Sequence, residues 1–250
     1  MGIEERFFKM EDKFSEDAAM VIYGPEGVGK TTLAASLKNL LYIDVEKGRS
    51  SILKTKFRPQ IFQPDNPEDL GEVYLWLKAN SDKFDAVVID TYTEVEKWFI
   101  SQSIQKGVNK DPDKDPDLAT MNDYNKAGRR MSKMTRSFHS LPMLKVYLCH
   151  EREDKDEDTG EIKRGPALMP AVMRDLNAYV DVILYMNVDK EGNRALYTTP
   201  TSKYRAKHRI GSLPKKIQLP DDPNRSKLSD VVEMVEKSLK EGPKKKEVVK

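Results

Sequence analysis

Cysteine is nearly absent. Cys149 is the sole example in 250 residues, which excludes an intramolecular disulfide framework and a cysteine-rich zinc site and fits a reducing compartment or simply low cysteine use. Long hydrophobic runs are missing too. No stretch approaches the ~20 apolar residues that span a bilayer, and the first residues lack the apolar core of a secretion signal. The expectation is a soluble, cytoplasmic protein with no membrane partner. Nor does one sign of charge dominate: 43 Lys and Arg stand against 41 Asp and Glu, for a net charge of +2. Whole-molecule charge therefore gives no case for a nucleic-acid partner, and any such case must be local. What is present is a 38% hydrophobic chain, long enough to bury the core of one α/β domain with extensions.

Four short apolar runs, Ala18–Tyr23, Leu41–Val45, Asp85–Ile89 and Leu144–Cys149, have the length and composition of buried parallel strands. Helix-like stretches lie between them, at 30–41, 66–81, 93–106 and 119–139. This alternation predicts an α/β fold with a mostly parallel central sheet flanked by helices. Gly107–Asp117 and the charged Glu151–Pro170 read as mobile loops. A further helix is expected at 171–177. Tyr179–Val188 and Arg194–Thr199 flank Asp189–Asn193 as a C-terminal hairpin. Residues 214–226 read as a linker, 227–240 as a short amphipathic helix and Gly242–Lys250 as a basic tail. The division is a main domain at 1–213 and a linker, helix and tail at 214–250.

The chemistry concentrates after the first strand. Gly24-Pro25-Glu26-Gly27-Val28-Gly29-Lys30-Thr31-Thr32 matches the pattern G-x-x-x-x-G-K-[ST], and it sits between a strand and a helix, as a phosphate-binding loop requires. Glycines allow a tight loop whose backbone N–H groups surround phosphate oxygens, and the helix N-terminus adds a favourable dipole. Lys30 is expected on the β- and γ-phosphates of ATP, with the Thr31 hydroxyl on Mg²⁺.

Such a loop needs an acidic Mg²⁺ partner at the end of a neighbouring strand. Asp85-Ala-Val-Val-Ile-Asp90 supplies one in Asp90, for which capping of the next helix is the alternative role. Hydrolysis also needs a group to orient or deprotonate water. Glu46 leads, because it follows the second strand and would share the carboxyl edge of the sheet with the loop and Asp90. Asp44, Glu94 and Glu96 are its rivals.

These residues resemble the RecA/DnaB branch of P-loop ATPases over roughly 18–212. Gly24–Leu33 resembles the RecA phosphate loop, Tyr42-Ile-Asp-Val-Glu46 the strand delivering its catalytic glutamate, and Val87-Val-Ile-Asp90-Thr91 its Walker B strand. Within that branch the size, motif order and short step from Lys30 to Glu46 are similar to the compact phage RecA-like ATPases of the Sak-four type. The resemblance implies an ATPase acting on single-stranded DNA in recombination, annealing or repair. Implied partners are a homo-oligomer and a single-strand-binding or annealing protein.

It further places His150, at the end of Val146–His150, where such proteins hold a γ-phosphate sensor; a surface strand-end histidine is the plain alternative. Lys207 and Arg209 resemble a Lys-x-Arg finger reaching a neighbouring subunit's ATP site, with Lys203 and Arg205 as a second register and a basic surface segment as the bland reading. The loop after His150 occupies the place of a DNA-binding loop, but its Arg152, Lys155, Lys163 and Arg164 are interleaved with acids.

Two other functional classes remain open: a nucleotide-switched loader using the C-terminal helix and tail, and a small-molecule phosphotransferase. Asp111–Asp117 and Asp154–Asp158 lack the glycine and glutamate of a calcium loop. Met121, Met131 and Met134 are expected to fill core, and Cys149 to be a small buried residue.

Overall fold

A computed structural model describes residues 18–48, 50–155, 160–209 and 213–241. Its centre is a parallel sheet, as the apolar runs predict. β1 (Ala19–Gly24), β2 (Leu40–Asp44), β3 (Gln60–Phe62), β4 (Ala86–Asp90), β5 (Leu144–Lys155) and β7 (Val182–Val188) run parallel in the order β7-β1-β5-β4-β2-β3. Antiparallel strands complete it. β6 (Ile162–Pro166) pairs with β5, β8 (Arg194–Tyr197) and β9 (Lys207–His208) with β7, and β10 (Lys216–Gln218) with β8.

The central strands are buried on both faces because helices cover both. On one face α3 (Pro67–Ala79), α4 (Tyr92–Val108), α5 (Met121–His139) and α6 (Pro170–Tyr179) contribute Leu70, Leu77, Val95, Phe99, Met131, Phe138 and Leu176 against Val21, Val87, Ile89 and Tyr147. On the other, α1 (Lys30–Ala34), α2 (Ser50–Leu53) and α7 (Leu228–Glu241) bring Leu33, Ile52, Leu228, Val231 and Val235 against Ile22, Tyr42, Val88 and Leu184. Each fully buried aliphatic side chain of this kind stabilises by about 1.5–3 kcal/mol. Helix starts are locally encoded. Asn66 and Asp69 form a capping box at α3 with Pro67 in its first turn, and Thr120 and Asp123 form another at α5.

Several expectations are corrected. The first helix stops at Ala34, because the chain must turn within 35–39 to enter β2 at Leu40. The expected mobile loop 151–170 is in large part a β-hairpin. β5 runs on to Lys155 and pairs with β6, and its alternating charges meet across the ladder: Arg164 lies 3.2 Å from Glu151 and 2.6 Å from Glu153. Residues 214–226, read as a linker, carry β10 and bury Ile217 and Leu219. α7 is likewise part of the core, and Leu228 N–H donates to Ser36 Oγ at 2.8 Å. Met131 and Met134 fill core as expected, but Met121 is 75% exposed at the first turn of α5. The 1–17 segment and the basic tail 242–250 lie outside the described residues, as does Gly211.

Among the described glycines, the closest approach to a neighbouring backbone is where β1 ends. A methyl group on Gly24 would lie 2.0 Å from the Met186 carbonyl oxygen on β7, and backbone cannot yield as a side-chain tip does. Gly24→Ala is therefore expected to destabilise the fold by at least about 1–3 kcal/mol, read as a lower urea midpoint with unchanged slope; an unchanged midpoint would contradict the packing described.

Candidate active site

The sheet register brings the predicted groups to one edge. Gly24 on β1 pairs with His150 on β5, Asp90 on β4 pairs with Leu148 on β5 and with Asp44 on β2. Glu46 follows directly, its loop held by Val45 N–H donating to the Asp90 carbonyl at 2.8 Å. Gly24, Asp90 and Asp44 end their strands, Glu46 lies two residues beyond β2, and His150 is the last β5 residue paired with β1, although β5 itself runs on to Lys155. Open α/β sheets bind ligands at this edge.

In the phosphate loop, Gly29 adopts φ 101°, a left-handed conformation that favours glycine. Lys30 is 7% exposed and folds back over the loop, donating to the carbonyls of Gly24 and Pro25 at 2.8 Å each. Burial lowers its pKa, offset in part by Asp90 and Glu46. A phosphate group would exchange these carbonyl contacts for stronger, charge-assisted ones.

Thr31 Oγ1 donates to Asp90 Oδ2 at 2.7 Å, and the Tyr42 hydroxyl donates to the same oxygen. Burial raises the Asp90 pKa against these two donors. A buried carboxylate beside a hydroxyl oxygen is a donor set suited to Mg²⁺, which takes one or two carboxylates and completes its shell with phosphate oxygens and water. Among the described residues no cluster of three or more His, Cys, Asp or Glu forms a separate metal cage. Asp90 is not the cap of the following helix: Thr91 is, accepting from Glu94 N–H at 3.3 Å. This leaves the Asp90 carboxylate to face Thr31.

The second pair is Glu46 and His150. Glu46 Oε1 is 2.6 Å from His150 Nε2 and accepts from Thr91 Oγ1 at 2.6 Å. The His150 hydrogen bond holds the Glu46 carboxyl below its usual range despite partial burial, and the same bond raises the His150 pKa. Both are partly exposed, at 32% and 25% of their side-chain surface, so the pair is open to a ligand.

The rival carboxylates are occupied elsewhere. Asp44 accepts from Gly48 N–H at 3.0 Å and Gln63 Nε2 at 2.8 Å. Glu94 pairs with Lys97 at 3.0 Å. Glu96 accepts from Met169 N–H at 2.8 Å, and burial pushes its pKa to about 7.

Lys207 and Arg209 are not at this edge. β9 pairs with Val182 and Ile183, at the start of β7, about 10–14 Å along the strand from Met186 beside Gly24. Lys207 Nζ donates to the carbonyls of Asn177 and Val180, and Arg209 donates to Ala178 O at 2.6 Å with Asp181 3.6 Å away. Both cations thus meet the negative C-terminal end of α6. In the other register, Arg205 is 3.7 Å from Asp154.

Two residues that pattern reading missed belong to the site. Tyr42 gave no signal because an inward tyrosine in a strand reads as core. Arg194 lies against the loop, its guanidinium 2.9 Å from where a Gly29 side chain would begin, and binds the carbonyls of Pro220 and Asp221 at 2.8 Å each. Only the β7–β8 pairing brings it there.

The mostly parallel α/β sheet, with the Gly24–Thr32 loop after its first strand, is the RecA-like P-loop NTPase fold. A family profile described as an AAA domain matches residues 16–210, and the chain belongs to that family. Among solved structures it is similar to the RadB recombinase, with a TM-score of 0.53 and 15% identity over 85% of this chain and 91% of that one. Direct sequence comparison with curated proteins gives no match. Among the described residues no helix is long and apolar enough to cross a membrane.

The Glu46–His150 pair sets a pH window. The depressed Glu46 pKa contributes stability above its unfolded value of ~4.3, lost as pH falls through the folded value. The raised His150 pKa contributes fully below its unfolded value of ~6.5, lost as pH rises through the folded value. The pair is therefore strongest between about pH 4.3 and 6.5. Glu46→Gln is expected to move the His150 imidazole titration, followed by NMR, to lower pH; an unmoved titration would show that the two do not interact.

Proposed function

We propose that this protein binds ATP with Mg²⁺ and hydrolyses it in work on single-stranded DNA, in recombination, annealing or repair of the phage Sak-four type. The observation that carries the ATPase reading is the meeting of two polar pairs, Thr31–Asp90 and Glu46–His150, at the sheet edge where the phosphate loop begins.

In this reading the backbone N–H groups of the Gly24–Thr32 loop, Pro25 excepted, surround the β- and γ-phosphates and Lys30 neutralises their charge. Thr31 and Asp90 would hold Mg²⁺, which would supply charge neutralisation for the transferring phosphoryl group. Tyr42 holds the Asp90 oxygen in place. Glu46, kept ionised by its neighbours, accepts a hydrogen bond from the attacking water and takes its proton as the bond to phosphorus forms and the ADP oxygen leaves. His150, one strand from Gly24, holds Glu46 before nucleotide arrives and donates to the γ-phosphate after it, so that nucleotide frees the base.

Lys207 and Arg209 cannot serve their own site from the far edge. Their proposed role is in a homo-oligomer, exchanging helix carbonyls for a neighbour's phosphate. The RecA-like fold motivates the DNA substrate, with a single-strand-binding or annealing protein as partner. The loader reading loses one support, since the apolar face of α7 is occupied by the protein's own core.

Lys30→Ala is expected to abolish nucleotide binding or turnover. Glu46→Gln should bind ATP with near-normal affinity while losing about 10²–10⁴-fold in turnover; normal turnover would place the base elsewhere. Single-stranded DNA should raise the wild-type phosphate-release rate, and folded protein showing neither DNA binding nor stimulation would refute the DNA reading. Mixing Lys30→Ala with Arg209→Ala protein should restore some activity if Arg209 acts in a neighbour's site, whereas no recovery in assembled mixtures argues against it.

A further inference from the structure

α5 is basic on its outer side. Between Met121 and His139 it carries Lys126, Arg129, Arg130, Lys133 and Arg136 against one carboxylate, Asp123. That carboxylate is buried and bound to Lys114 at 2.5 Å. Arg130 turns toward α4, where it bonds Gln102 and lies 5.9 Å over the Phe99 ring.

The other four cations, Lys126, Arg129, Lys133 and Arg136, are exposed. Their spacing of three, four and three residues aligns them on one helix face. The stripe runs about 15 Å at 1.5 Å per residue. None of the four has an acidic ion-pair partner among the described residues; Arg136 Nε donates to Ser132 O.

Arg129 and Arg136 also line a groove of about 820 Å³ between α5 and the start of α6. Tyr124 and Met121, 42% and 75% exposed, stand at its N-terminal end. Its one carboxylate, Asp175, is engaged by Ser132 Oγ. Beyond that end the chain carries exposed Asp111, Asp113, Asp115 and Asp117, which would repel a polyanion and confine it to the stripe.

We propose that this stripe and groove bind the backbone of single-stranded nucleic acid, with Tyr124 stacking on a base at one end. The proposal rests on the single-strand reading above and names the surface that does the binding. Each of the four exposed cations can meet a phosphate oxygen of one strand laid along the stripe, releasing its counterion. An exposed aromatic beside a basic track is how proteins hold single strands without reading sequence. The β5–β6 ladder is poorer in this respect, because Arg152 and Arg164 are spent on Asp154, Glu151 and Glu153. A membrane surface fits badly, since an interfacial helix needs its apolar face outward. Here Ala127, Met131, Met134 and Phe138 are buried in the core.

The test is fluorescence anisotropy of a labelled thirty-residue oligothymidylate, titrated with full-length protein and a non-hydrolysable ATP analogue with Mg²⁺ at several salt concentrations. R129E/K133E/R136E is expected to weaken binding at least tenfold. R129Q/K133Q/R136Q should lower the log–log salt slope by about 2, from ~0.7 for each of three lost phosphate contacts. R129K/R136K should keep the slope, and all variants should keep the affinity for fluorescent ATP. If the glutamate variant melts at lower temperature, the glutamine variant carries the test. A wild-type slope in the glutamine variant would overturn this assignment and leave the single-strand reading standing. Failure of the wild-type protein to bind the oligonucleotide would overturn both. Competition by polyglutamate as strong as by unlabelled oligonucleotide would instead assign the stripe to an acidic protein.

Discussion

The hydrogen-bonded ladder joining β1 to β5 is the constraint from which the site follows. Because these strands are parallel and in the register Gly24 to His150, the chain leaves β1 into the phosphate loop at the level where β5 presents its histidine. β4 and β2 continue the register, adding Asp90 and then Asp44. A slip of one residue in any of these pairings would turn its polar end group to the opposite face. The burial of β1, β2 and β4 at every position resists such a slip.

Two couplings built on that ladder divide the work. Thr31 and Tyr42 compensate the cost of burying the Asp90 carboxylate, which otherwise favours its neutral form. Thr91 does two jobs: it caps α4 and donates to Glu46. The cap that starts a helix thus also holds a catalytic candidate, and both depend on the residue directly after Asp90.

The C-terminal part is tied to the same edge. Arg194 touches the phosphate loop with one end of its guanidinium and the 220–221 carbonyls with the other. α7 packs on the helix side of the loop through Leu228 and Ser36. The segment after residue 213 therefore supports the Gly24–Thr32 loop.

Much of this was legible in the sequence. Short apolar runs become parallel strands because only a strand buried on both faces tolerates so few polar residues. The phosphate loop reads directly because its function needs particular residue types at fixed spacing. Asp90 and Glu46 follow from the rule that parallel strands deliver their end groups to one edge. Local pattern ranked Glu46 first from its place after β2 but left Asp44, Glu94 and Glu96 as rivals, since each is an acid near a strand end. In the structure Glu46 meets His150 and Thr91, and Glu96 meets Met169, all far away in the chain, whereas Glu94 meets nearby Lys97 and Asp44 both nearby Gly48 and more distant Gln63.

The same reason explains the charged 151–166 segment. Its alternating acids and bases look solvated until the strands pair and the charges meet across the ladder. It also explains β10, whose three residues are too few to show a period, and Met121, whose helical spacing matches its buried neighbours while the first turn of α5 projects beyond the core. By itself the sequence determined the order of the elements and the identity of the phosphate loop, because both are properties of contiguous residues. Which carboxylate meets His150, where Lys207 and Arg209 lie and that Arg194 reaches the loop were decided by the tertiary structure, because each depends on contacts between residues far apart in the chain.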